Sequence, residues 1–118
     1  MSRVAYKLVD RAEWDAALAA GAYAGSAVDL ADGYIHMSTA AQLAETARRH
    51  YAGKTGLVLV EVALAPLGEA LKWEASRGGD LFPHLFAPLP ATGEASQRRL
   101  SVDADGVMRF EDGAVGWP

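Results

Sequence analysis

The sequence predicts a single α+β domain over residues 1–118, with a strongly curved or split, mainly antiparallel β-sheet and two helices near the N-terminus. Three features carry that expectation. Capping-box signals at Asp10/Glu13 and Thr39/Gln42 each open a short amphipathic segment in the first half of the chain. Leu57-Val58-Leu59-Val60-Glu61-Val62-Ala63-Leu64 is nearly all apolar and rich in β-branched residues, as a strand buried on both faces requires. Short, turn-bounded strands follow, and helices early with strands late indicate α+β rather than a doubly wound fold.

In chain order, Val4 to Val9 reads as an opening strand, and Asp10 caps a helix whose face is Trp14, Ala17 and Leu18 and whose stop is Gly21. Ala22 to Ala31 has no steady period and reads as a surface loop carrying Tyr23 and Ser26. Asp32-Gly33 turns the chain into a short strand, Tyr34-Ile35-His36-Met37. The second helix starts after Thr39, faces inward with Ala40, Leu43, Ala44, Ala47 and Tyr51, and stops by Gly53. Pro66 and Gly68 close the central strand, and Leu71 to Ala75 alternates, with Lys72 and Glu74 on one face and Leu71 and Trp73 on the other. His84-Leu85-Phe86 reads as a strand, and Arg98 to Val102 with Val107 to Phe110 as a hairpin turned at Asp105-Gly106. Residues 111–118 read as a loosely held tail.

Composition excludes several classes. A net charge of −4 provides no overall positive field for nucleic acid or an anionic membrane. The absence of cysteine removes disulfides, thiolate metal sites and a cysteine nucleophile. The first residues lack the apolar run of a secretory signal, and Leu57 to Leu67, interrupted by Glu61, is far shorter than the roughly 20 residues of a membrane span. A cytoplasmic protein with a small-molecule ligand, and neither nucleic-acid nor membrane partners, is the expectation.

The motifs of the common hydrolases and nucleotide-fold enzymes are absent. What stands out is a set of polar residues inside apolar segments, where burial is costly without a partner or a task. His36 sits at a strand end just before a helix N-terminus, a ready place for a polar ligand, or else is a partly buried imidazole bonded to a neighbour. Ser38 is a ligand group or only a helix cap. Glu74, beside Trp73, is either a carboxylate in a partly apolar pocket, suited to acid–base or electrostatic work, or a surface group paired with Lys72 or Arg77. His84, held by Pro83, is a ligand residue or makes a structural hydrogen bond. Tyr51 reads from the residues alone as core packing. His36, His84 and Glu74 match a zinc or iron set by type, but their wide separation provides no local ligand pair, so no metal is expected.

Trp14, Asp32-Gly33-Tyr34-Ile35-His36-Met37-Ser38, Gln42, Tyr51, Trp73-Glu74 and Phe82-Pro83-His84-Leu85-Phe86 together resemble a bacterial domain-of-unknown-function family, number 952. Its pattern runs glycine, aromatic, isoleucine, histidine, small residue, serine, with Met37 in the place of the small residue here. The resemblance implies an ADP-ribosyltransferase-like fold, whose split sheet grips NAD. In that superfamily a strand histidine and a following small hydroxyl residue hold the nicotinamide ribose, an aromatic ring stacks on nicotinamide, and a later glutamate steadies the developing oxocarbenium ion. The matching residues are His36, Ser38, Tyr51 and Glu74, while His84 has no firm counterpart. Catalysis by Glu74 and His36, with His36, Ser38, Tyr51 and His84 binding the ligand and NAD as a substrate, is therefore what the resemblance implies. The alternative is a module that binds a nucleotide-like or other small polar ligand without turnover.

Overall fold

The computed structural model describes residues 3–93 and 96–118, apart from the side chain of Arg77. β1 (Val4–Asp10) pairs antiparallel with β4 (Leu57–Ala63), which in turn pairs with β8 (Gln97–Val102), itself joined to β9 (Met108–Phe110). This four-stranded sheet, ordered β1-β4-β8-β9, puts the apolar segment Leu57–Ala63 at an interior position, as its composition predicts. Period-two alternation then divides its side chains between two cores. Val58, Val60 and Val62 face α1 (Arg11–Ala20), sharing a core with Trp14 and Ala17, while Leu57 and Leu59 face α3 (Ala40–His50), packing with Leu43 and Ala47.

Two smaller sheets close over the first core. β3 (Ile35–His36), β6 (Leu81–Leu85) and β5 (Leu71–Ala75) form a three-stranded antiparallel sheet ordered β3-β6-β5, and β2 (Ala22–Tyr23) pairs with β7 (Leu89–Pro90). The result is a single α+β domain whose strand pairs are all antiparallel and whose sheet is divided into separate pieces. At the division, Tyr6 and Ser38 exchange backbone hydrogen bonds of 2.8 and 2.9 Å. Among the described residues, no helix is long and apolar enough to cross a membrane.

The structure corrects several expectations. Ala22 to Ala31 is not a loop: it supplies β2 and a third helix, α2 (Ala27–Asp32), so three helices precede β4 rather than two. Ser26 and Asp29 cap that helix reciprocally, and Gly33 ends it with φ 89°, a left-handed conformation suited to glycine. The strand before α3 is therefore only Ile35–His36. β6 begins at Leu81, includes Pro83 and stops before Phe86, which is exposed. α3 ends at His50 with Tyr51 as its cap, and Ala40 and Ala44 on its expected inner face are exposed. Residues 111–118 are tied down: Phe110 and Gly116 backbone N–H groups bond Ala114 and Met108, and Trp117 Nε1 donates to the Ala40 carbonyl at 2.9 Å. The Trp117 ring also packs edge-on against Tyr6, 5.0 Å between centroids. A tail rich in glycine and short of apolar residues has little to bury by itself, and one tryptophan reaching α3 holds it.

Candidate functional site

Asp29 is the hub of the site. The Ser26 cap turns α2 so that the Asp29 carboxylate enters the core below β1, where it accepts from four groups: Lys7 Nζ at 3.2 and 3.1 Å, Ser26 N at 2.9 Å, His36 N at 3.1 Å and His36 Nδ1 at 2.6 Å. Lys7 sits on the same face of β1 as Ala5 and Val9, and it and Asp29 are buried. A buried ion pair needs its remaining hydrogen-bonding capacity met, and for Asp29 the Ser26 and His36 donors meet it. Burial alone would push the Asp29 carboxyl up, but His36, Lys7 and the backbone N–H groups of Ser26 and His36 outweigh it and hold it well below the usual carboxylate range. Burial pulls the Lys7 ammonium down, and Asp29 opposes that only in part. Gly25 approaches closely enough that a Cβ there would meet Asp29 Cβ at 2.7 Å, and its φ is 118°, so only glycine passes this point without strain.

His36 links the hub to the surface. Its Nδ1 is on Asp29 and its Nε2 is 2.9 Å from Asp32 Oδ2 at the end of α2. Beside it, Tyr34 stacks on His84 with centroids 4.1 Å apart and lies 4.5 Å from His36 and 5.1 Å from Phe86. Burial, then the charges of Asp32, Glu74 and Asp29, push the Tyr34 phenol up, so three carboxylates share one aromatic neighbour. His84 is buried, with Nδ1 2.8 Å from Glu74 Oε1.

These groups border a cleft of about 860 Å³ where the sheet divides, with Lys7, Asp29, Asp32, His36, Ser38, Tyr51 and His84 among its walls. His36 and His84 come together, 5.6 Å between ring centroids, and Glu74 joins them through His84. Glu74 itself does not line the cleft. Its partner is therefore His84 rather than Lys72, and Arg77, the other expected partner, lies outside the described side chains. Ser38 is not the helix cap, a place taken by Thr39; its hydroxyl is 2.8 Å from Thr46 Oγ1. Tyr51 donates to the Leu8 carbonyl at 3.2 Å, and burial followed by Asp29 and Glu13 pushes its phenol up to about 12. The Lys54 ammonium stands 5.3 Å over the Tyr51 ring. Among the described residues, no group of three or more His, Asp or Glu is placed to hold a metal ion.

The model of a protein family of unknown function, DUF952, matches residues 8–93. The chain belongs to that family. The crystal structure of protein CC0527 from Caulobacter crescentus is similar to this chain at 54% sequence identity and TM-score 0.83, covering 90% of this chain and 93% of that one. The solution structure of CC0527 is similar at 54% identity and TM-score 0.76, over 89% of this chain and 90% of that one. No curated protein matches the chain. Within the matched residues, the β3–β6 pair makes His36 and His84 register partners.

Three residues of the site escaped sequence reasoning, Lys7, Asp29 and Asp32, while Tyr34 lies inside the segment Gly33 to Ser38 that it picked out. Two had signals. Ser26-x-x-Asp29 is a capping pattern of the kind that revealed α1 and α3, and Lys7 interrupts an apolar strand as His36 does. Asp32 was read only as half of a turn, because its contact with His36 comes from packing.

Proposed function

We propose that this protein is an ADP-ribosyltransferase-like enzyme acting on the N-glycosidic bond of NAD or a related ADP-ribosyl compound in the cytoplasm. The observation that supports it is the meeting of His36 and His84, from β3 and β6, at a cleft where the sheet divides. Its volume lies in the upper part of the roughly 300–1,000 Å³ range of small-molecule and cofactor sites. In this reading His36, Ser38, Tyr51 and His84 form the ligand-facing wall. The C1′–N bond breaks with its electron pair passing to the nicotinamide nitrogen, positive charge spreads over C1′ and the ribose ring oxygen, and water attacks C1′. Glu74 holds His84 by Nδ1, so Nε2 is the atom that takes the proton from the attacking water. The Glu74 charge favours the resulting imidazolium, so its effect falls on the transition state.

Release of nicotinamide from NAD, followed chromatographically, tests this. Glu74→Gln is expected to lower kcat with binding retained, and His36→Ala to weaken binding. A second reading, a binding module without turnover, is favoured by one observation: Glu74 reaches the cleft only through His84. Stabilisation by NAD or ADP-ribose without product favours that module; saturating ligand at about a hundred times Kd adds roughly 2.7 kcal/mol. Neither product nor stabilisation defeats both readings.

A further inference from the structure

A glycosyl cation needs a negative charge facing it, and three carboxylates surround the two histidines. Glu74 stands behind His84 and does not border the cleft. Asp29 borders it but is buried and spends its charge on Lys7 and His36. Asp32 alone of the three both lines the cleft and keeps 47% of its side chain exposed. Among the described residues, its side chain contacts His36, whose Nε2 lies 2.9 Å from Oδ2. Its position is also locally unfavourable: it is the last residue of α2, where the helix carbonyls repel a carboxylate. The His36 ring beside it is held in turn by Asp29, which Lys7 pairs. The four side chains make a connected row, Lys7 to Asp29 to His36 to Asp32, along the wall of the cleft.

Resting on the N-glycosidic reading above, we infer that Asp32 is the catalytic carboxylate that faces the ribosyl cation, and that His36, fixed by Asp29 and Lys7, is its positioning residue. As the C1′–N bond breaks and the electron pair leaves on nicotinamide, Asp32 stays ionised and opposes the charge at C1′. Water then forms the C1′–O bond and passes its proton to His84 Nε2. No proton moves to Asp32, so an isosteric amide removes its charge while keeping its shape.

The test compares wild type, Asp32→Asn and Asp32→Ala for nicotinamide release from NAD and, by calorimetry, for NAD affinity, with thermal melting as the check on folding. Both variants are expected to lose about 10²–10³-fold in kcat, the cost of removing one preorganised electrostatic group, with Kd for NAD nearly unchanged. Asp32→Asn keeps the fold even where Asp32→Ala does not. An active wild type with either variant folded and its kcat little changed overturns the assignment and leaves the N-glycosidic reading standing. A loss in Kd as large as that in kcat makes Asp32 a binding group and also overturns it. A wild type that releases no nicotinamide overturns both together.

Discussion

Lys7 Nζ lies 3.1 Å from Asp29 Oδ2, and both side chains are almost wholly removed from solvent. Loss of Asp29 leaves the Lys7 ammonium buried without a counter-charge, and loss of Lys7 leaves the buried Asp29 carboxylate to His36 and two backbone N–H groups. Lys7→Met and Asp29→Asn are each expected to destabilise the fold by about 3–5 kcal/mol. The double variant should be less destabilised than the sum of the two. Urea unfolding of all four proteins measures this, and strict additivity would show that the pair does not interact.

The depressed Asp29 carboxyl also sets a pH dependence. In the unfolded chain an aspartate titrates near ~3.9. The folded value is lower, so the contribution to stability is complete above that pH and is lost as pH falls toward the folded value, where the unfolded state binds a proton that the native state does not. The slope approaches about 1.4 kcal/mol per pH unit in that window. Unfolding free energies of wild type and Asp29→Asn are expected to converge between about pH 5 and pH 2. A gap that stays constant over this range would place Asp29 elsewhere.

Glu74 and His84 project from the same face of the β5–β6 pair at diagonal positions, since Glu74 opposes Phe82 and His84 opposes Lys72. A carboxylate at Nδ1 makes that nitrogen the donor. The neutral His84 ring is therefore expected as the Nδ1–H tautomer in wild type and Glu74→Gln, and to shift toward Nε2–H in Glu74→Ala. Long-range ¹H–¹⁵N correlation spectra read this directly. An Nε2–H ring in wild type would break the link between Glu74 and the cleft.

Trp117 gathers the end of the chain through one hydrogen bond to Ala40 and ring contacts with Tyr6 and Phe110. Trp117→Ala is expected to cost about 2 kcal/mol, less than a fully buried tryptophan because the ring is only half-buried. Thermal melting checks it. A melting temperature within a degree of wild type would show that the strap carries no weight.

Much of the fold was legible because its elements carry their own signals. The Thr39/Gln42 box, the left-handed Gly21 and the nearly all-apolar Leu57 to Ala63 each report on a few neighbouring residues, and the physics that shapes them is equally local. α2 was missed because six residues show too little of a helical period, although the Ser26/Asp29 box was present. At the site, His36, Glu74 and His84 could be picked out as polar interruptions of apolar strands, since burying such groups is costly anywhere.

Which groups satisfy them was decided by tertiary structure. The β3–β6–β5 register brings His84 to His36 and Glu74 to His84, and a strand shifted by one residue would turn each side chain to the other face. Lys7 of β1 and Asp29 of α2 meet across 22 positions of chain, a contact made in the folded chain alone. The sequence by itself determined which side chains needed partners, through the cost of desolvating them. Packing alone determined the partners, because hydrogen bonds and ion pairs depend on distances between elements that no local pattern encodes.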